Sequence, residues 1–153
     1  MQAFKFLTII LLMFLSPHGG GRVRAEAKGA PAFNPSGDYH PANPPADGSE
    51  RFTHFDLEVR RRKGKLVARG DVRNVGARYE FATVSVTEER LKFTTARVRG
   101  VSYSFDGRFL GRGDFPGQFT GRGVVMLEGT LTKYQGGKKV SEVNSPFLYY
   151  PGC

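Results

Sequence analysis

From residue 51 to the end of the chain, apolar and polar side chains alternate with a period of two, interrupted by short clusters of glycine and other turn-forming residues. This alternation is typical of β-strands that bury one face and leave the other in water. No stretch has the three- and four-residue apolar spacing of an amphipathic helix. The pattern predicts an all-β domain over residues 51–153, an antiparallel meander of about seven or eight strands. A β-barrel is favoured because closure removes exposed sheet edges, and a β-sandwich is the alternative.

The first predicted hairpin has two sets of inward positions that face each other across a basic loop at 61–64. They are Thr53, Phe55, Leu57 and Val59 on one strand, and Leu66, Ala68, Gly70 and Val72 on the other. Pairing Val59 with Leu66 places Phe55 over the bare backbone of Gly70. On the outer face, the same register sets Asp56 opposite Arg69 and His54 opposite Asp71. This match of opposite charges is the reason for choosing that register.

The second predicted hairpin spans roughly 79–86 and 91–98 and turns at 87–90. Its register pairs Val86 with Leu91, Val84 with Phe93 and Glu80 with Arg97. A third turn is predicted at Asp106 and Gly107, because Asp-Gly is a strong signal for a two-residue hairpin loop. Two registers stay open there. A two-residue loop pairs Tyr103 with Leu110 and Arg99 with Asp114, whereas a three-residue loop sets Tyr103 and Val101 over Gly111 and Gly113.

The longest predicted strand covers about 118–133, and its odd positions face inward. Those positions are Phe119, Gly121, Gly123, Val125, Leu127, Gly129 and Leu131. Glycines on the concave face let a long strand coil without side-chain collision. A turn at 135–138 leads into a final strand over roughly 140–149, in which Pro146 marks an edge or a bulge.

A barrel of about eight strands is just wide enough to be filled by side chains or to hold one small ligand. The candidate lining residues are Phe55, Leu57, Phe93, Tyr103, Phe105, Val125 and Leu127; the alternative is that they form a packed core. The strand rhythm resembles that of small meander barrels such as lipocalins and avidins, in pattern only. The chain has no tryptophan and therefore lacks the Gly-x-Trp motif of lipocalins. A small apolar ligand is one candidate partner.

The N-terminal segment predicts export. Lys5 precedes a largely apolar run over 6–15, which is too short to span a bilayer and is typical of a signal peptide. We expect a signal peptide over 1–27, cleaved after Ala25 or Ala27, and a secreted or periplasmic protein of bacterial type. Residues 28–50 contain five prolines and predict a linker or N-terminal arm, within which 36–39 are a candidate first strand. The single cysteine, Cys153, is a candidate for a disulfide-linked dimer.

Positive charge is the strongest compositional signal. The chain has 23 Lys and Arg against 14 Asp and Glu, a net charge of +9, which becomes +7 after removal of residues 1–27. The densest run supplies candidate contacts for an anionic surface: Arg60, Arg61, Arg62, Lys63 and Lys65. Phospholipid headgroups and acidic glycans are the expected partners. The Gly-Arg-Gly tripeptides lie within predicted strands, so no specific binding of nucleic acid is predicted.

Few residues are candidates for catalysis or metal binding, and no cofactor or metal is predicted. His40 and His54 lack the spacing of a metal-binding pair. Arg-Gly-Asp occurs at 69–71 and 112–114, but both copies are predicted within strands, which disfavours an adhesive role. Glu80 is the one candidate inward carboxylate. The sequence therefore predicts a non-catalytic exported binding or envelope protein. A small barrel enzyme of the isomerase or cyclase type and a self-associating envelope component are the alternatives.

Overall fold

The computed structural model describes residues 32–44 and 53–152, which form eight antiparallel strands and one short helix. The predicted signal peptide, parts of the predicted linker and Cys153 lie outside the described residues. The elements are β1 Gly37–Pro41, β2 His54–Arg62, β3 Lys65–Asn74, β4 Ala77–Val86, β5 Arg90–Thr95, β6 Val101–Phe109, α1 Phe115–Gln118, β7 Val124–Gln135 and β8 Lys138–Tyr150. Each strand pairs with the next in sequence, and β1 pairs with β8, so the sheet closes into a barrel. This confirms the predicted all-β meander and selects the barrel over the sandwich.

Closure depends on a strand from the proline-rich segment. In β1, Tyr39 pairs with Phe55 of β2 on one side and with Tyr149 of β8 on the other. The candidate strand at 36–39 is therefore present, and it covers two sheet edges that would otherwise be open. Among the described residues, no helix is long and apolar enough to cross a membrane.

The predicted register of the first hairpin is wrong by two residues. The observed register pairs Val59 with Ala68 and Leu57 with Gly70, and Arg62 with Lys65. The chain reverses in two residues, Lys63 and Gly64, whose φ angles are 50° and 78°. Both lie in the left-handed region that a type I′ turn requires, and this turn fits the right-handed twist of the flanking strands. Turn geometry decides the register because exposed charge pairs contribute little.

The second hairpin is confirmed near its turn, where Val86 pairs with Leu91 and Val84 with Phe93. An irregularity between Phe81 and Thr83 then shifts the register, so the predicted pairing of Glu80 with Arg97 is wrong. The side chain of Glu80 is exposed. It is therefore not the inward carboxylate that a barrel enzyme would need.

The turn predicted at Asp106 and Gly107 does not exist, and neither predicted register of that hairpin is present. Both residues lie inside β6, where Asp106 pairs with Lys92 on one side and with Thr130 on the other. Gly107 stands directly opposite Gly129, and the ring of Phe105 lies against both. Both positions are glycine because the buried ring of Phe105 fills the space that side chains at 107 and 129 would need. The chain reverses later, through residues 110–123, which include α1.

The start of the predicted 118–133 strand is also wrong. Residues 115–118 are helical and β7 begins at Val124. A bulge between Val125 and Leu127 changes which side chains face inward: Met126 is buried, whereas Val125 is 40% exposed. Beyond the bulge, Leu127 and Leu131 are buried as predicted. The turn at 135–138 is confirmed, with Gln135 paired to Lys138.

Candidate anion-binding surfaces

The barrel interior is filled by aromatic rings. Phe55 lies at the centre, and its ring centroid is 5.1–5.5 Å from rings of four other strands. Those rings belong to Tyr39, Phe93, Phe105 and Phe147. Six of the seven candidate lining residues, Phe55, Leu57, Phe93, Tyr103, Phe105 and Leu127, are at most 2% exposed and belong to this core. The seventh, Val125, is on the outside. These contacts favour a packed core over a ligand cavity.

The buried polar side chains offer little for chemistry. Within residues 32–44 and 53–152, the buried polar and charged residues are Thr53, Asp71, Thr95, Thr132 and Ser145. The one carboxylate among them, Asp71, lies on the outer face of the wall, since its neighbour Val72 pairs inward with Phe55. No cluster of three or more metal-ligating side chains exists in this part of the chain.

The outer wall carries two charged rows that sequence reasoning missed. An acidic row runs directly across β1 to β4, through the residues Asp38, Asp56, Asp71 and Glu80. A basic row lies beside it, two residues away on each strand. It consists of His40, His54, Arg73 and Arg78. Within each row, residues of like charge lie directly opposite each other, which is unfavourable by itself. Diagonal ion pairs compensate for this, such as Arg73 with Asp56 and Arg78 with Asp71. The predicted register of the first hairpin instead required opposite charges directly across from each other.

Asp71 is the centre of this arrangement, with its side chain 1% exposed. Its Oδ1 accepts a hydrogen bond from Arg73 Nε at 2.8 Å, and its Oδ2 lies 2.8 Å from Arg78 Nη2 in a Coulomb contact without hydrogen-bond alignment. Arg73 also donates to Asp56 Oδ2 at 3.0 Å. Burial, and secondarily the charge of Asp38, raise the pKa of Asp56. One guanidinium thus holds two opposed carboxylates together.

The two histidines of the basic row stack on each other, with ring centroids 4.5 Å apart and planes 7° from parallel. Burial lowers the pKa of His40, the neighbouring His54 lowers it further, and Asp38 opposes the change. The two rings come from β1 and from the start of β2, so their approach follows from barrel closure and not from local spacing. His40 is therefore favoured as the neutral ring in the folded protein.

We expect His40 to make the folded state less stable as the pH falls. The unfolded chain takes up a proton near the ordinary histidine pKa, whereas folded His40 resists it, so stability decreases as pH falls through about 6.5. Replacing His40 by Gln should make the urea midpoint change less between pH 7 and pH 5 than it does in the unmodified protein. Urea unfolding at both pH values checks this, and an equal change in the two proteins would contradict it.

The candidate cations at 60–65 form an exposed tip at the β2–β3 turn. We call Arg60, Arg61, Arg62, Lys63 and Lys65 the basic tip. Arg60 pairs with Glu58 at 2.5 Å, and Arg61 approaches Glu88 at 3.5 Å. For the other three members, no carboxylate lies within ion-pair distance in the part of the chain that the structure describes. Their charge is available to an external anion.

The opposite end of the barrel carries a second basic surface that the sequence did not reveal. It combines the β3–β4 turn, the loop 96–100 and the β7–β8 turn. The last two are in contact, since Gly136 N–H donates to Gly100 O at 2.9 Å. The lower-end surface, as we name it, consists of Arg97, Arg99, Lys138, Val75 and Val140. Its three cations have no ion-pair partner among residues 32–44 and 53–152, and its valines are 76% and 55% exposed.

The two Arg-Gly-Asp copies occupy different settings. The copy at 69–71 lies in β3, as predicted. The copy at 112–114 lies in the loop before α1, not in a strand. There Asp114 accepts a hydrogen bond from Asn34 Nδ2 at 3.1 Å, and Gly113 O accepts one from Asn34 N–H at 2.9 Å. These bonds hold the loop against the barrel, so the tripeptide does not protrude.

Comparison of the chain with protein-family models, with curated proteins and with solved structures finds no match.

Proposed function

We propose that this protein is an exported, non-catalytic β-barrel that binds anionic surfaces through its basic tip. The observation that carries the proposal is the separation of roles within the barrel. Aromatic rings fill the interior, while cations without partners stand at the β2–β3 turn. Export is part of the proposal and depends on the predicted signal peptide at 1–27.

The tip suits an extended anionic surface more than a single small anion. Its cations are exposed around a two-residue turn, and the open groove that Arg60, Arg61 and Arg62 line also contains the carboxylate of Glu58, which repels a small anion. Guanidinium groups bind phosphate and carboxylate through paired donors, and lysine contributes a point charge. Such binding is long-ranged at low salt and weak at high salt, because the Debye length falls to about 3 Å at 1 M.

Removing three tip charges should weaken binding to anionic vesicles. We expect a change of Arg62 to Gln, Lys63 to Asn and Lys65 to Gln to lower the affinity about 100-fold, since each cation near an anionic membrane contributes about 1 kcal/mol. Asn is chosen at 63 because it tolerates the left-handed backbone there. Co-sedimentation of the full chain with phosphatidylglycerol vesicles, at low and high salt, measures the effect.

The matched control removes three cations from the outer wall, namely Arg69, Arg90 and Arg108, each changed to Gln. These guanidiniums already pair with Glu58, Asp106 and Glu128. The control has the same net charge and the same apolar N-terminal run as the tip variant, so a difference between them reports the tip. Equal binding by the two variants, or binding that salt leaves unchanged, would contradict the proposal. A parallel arm with heparin asks whether acidic glycans are bound instead of lipid.

A further inference from the structure

We infer that the barrel bridges two anionic lipid bilayers, one held by the basic tip and the other by the lower-end surface. The inference rests on the proposed function of the tip and adds a second site and a substrate class. Strand β3 connects the two surfaces, since it begins at Lys65 of the basic tip and ends at Asn74, next to Val75. The two surfaces therefore lie at opposite ends of the barrel and face away from each other.

The distance between the ends makes them independent. Ten residues at about 3.3 Å each, tilted by about 40° to the barrel axis, separate them by about 25 Å. The Debye length at physiological ionic strength is about 8 Å, so an anion bound at one end has little influence on the other. The walls between them contain mostly cations that are paired with carboxylates, such as Arg90 with Asp106 and Arg108 with Glu128. Among residues 32–44 and 53–152, cations without a carboxylate partner are concentrated at the ends.

The lower-end surface favours a bilayer over a hydrated glycan because of its valines. Val75, 76% exposed, occupies the β3–β4 turn, and Val140, 55% exposed, lies two residues beyond the β7–β8 turn. Arg97 and Arg99 come from the loop 96–100, and Lys138 is the first residue of β8. Apolar side chains among cations gain from entering the boundary between headgroups and acyl chains, whereas a hydrated polysaccharide offers them no apolar phase. The mixture of charge and exposed valine is thus suited to the surface of an anionic bilayer.

Clustering of vesicles tests bridging directly. Two populations of phosphatidylglycerol vesicles, labelled with a donor and an acceptor dye in the lipid, are mixed with the full chain at low salt under constant reductant. The reductant prevents vesicles from being joined by two chains linked through Cys153. We expect efficient energy transfer between the vesicles with the unmodified protein, and loss of that transfer when the salt is raised.

Two variants separate this inference from the proposed function. The lower-end variant changes Arg97 to Gln, Arg99 to Asn and Lys138 to Gln; Arg99 also has a left-handed backbone, which Asn accepts. We expect it to bind vesicles through its tip but to cluster them at least ten-fold less. Changing Val75 alone to Ser should reduce clustering without any change of charge. The outer-wall control with Arg69, Arg90 and Arg108 replaced should cluster vesicles within two-fold of the unmodified protein.

The outcomes distinguish failure of bridging, failure of the assignment to a bilayer and failure of the proposed function. Binding without clustering by the unmodified protein would overturn bridging and leave the proposed function standing. Clustering by the lower-end variant at the unmodified level would also overturn it. Clustering that is lost with the arginines but unchanged by the Val75 substitution would overturn the assignment of this end to a bilayer. Failure of the unmodified protein to bind either vesicles or heparin would overturn the proposed function itself.

Discussion

Replacing Gly129 by Ala is expected to lower the free energy of unfolding of the barrel by about 3 kcal/mol. This is the upper end of the usual cost of forcing additional atoms into a packed interior. A methyl group there would lie 2.6 Å from Asp106 O, 2.6 Å from Gly107 Cα and 2.7 Å from Phe105 Cζ. Two of these atoms are backbone of the neighbouring strand and cannot move without breaking the β6–β7 pairing. Thermal unfolding followed by circular dichroism should show a midpoint lower by roughly 10 °C or more.

The control for this prediction is Gly152 to Ala. A methyl group at that position would meet its nearest neighbours at 3.8 and 4.0 Å, which is ordinary contact. The double substitution Gly129→Ala with Phe105→Leu should recover part of the lost stability. It removes the Phe105 ring, which makes one of the three close contacts with the new methyl group. If Gly129→Ala does not accumulate as folded protein, the same comparison is made by yield of folded protein. A Gly129→Ala protein within about 0.5 kcal/mol of the unmodified one would contradict the packing described for β6 and β7.

Replacing Arg73 by Gln is expected to cost about 3 kcal/mol, because it leaves the buried carboxylate of Asp71 with only Arg78 nearby. It also removes the hydrogen bond to Asp56, which faces Asp71 directly across the strands. Chemical denaturation at pH 7 measures the effect. The cost should shrink as the pH falls, because the pKa of Asp56 is raised above its ordinary value and a protonated Asp56 no longer needs the charge of Arg73.

The control for Arg73 is Arg69, on the same strand and also facing outward. Its guanidinium pairs with Glu58 but is 74% exposed, so Arg69→Gln should cost less than about 1 kcal/mol. Arg73→Lys should recover only part of the loss, because one ammonium group cannot reproduce two guanidinium contacts with separate carboxylates. Equal costs for Arg69→Gln and Arg73→Gln would contradict the role given to Asp71.

The alternation of apolar and polar residues was enough to predict the strands and the closed meander, because burial of one sheet face imposes a period of two wherever a strand lies. Register was not predicted from it. The tight turn at Lys63 and Gly64 moved the first hairpin by two residues and left both faces unchanged. At Val125 the alternation itself failed, since a bulge has no signature in a period-two pattern and turned one candidate lining residue outward.

Local reasoning also misjudged Asp106 and Gly107, where a strong turn motif lies within a strand. Gly107 is required there by the neighbouring Gly129 and by the ring that covers both, which are contacts distant in sequence. The same limit applies to the surface. The basic tip is continuous in sequence and was predicted, whereas the acidic row and the lower-end surface gather residues from three or four separated segments. They become visible only when the order of strands around the barrel is known.

We propose that this barrel acts at its two basic ends and not within its core, and mapping of amide chemical shifts can distinguish these two locations. The isotope-labelled protein is titrated with bicelles that contain phosphatidylglycerol, at low and at high salt. We predict shifts at 60–65, 96–100 and 135–140 that high salt abolishes, while the signals of Phe55 and Phe105 stay unchanged. Shifts concentrated at the inward residues of the barrel, or shifts that persist at high salt, would contradict the claim.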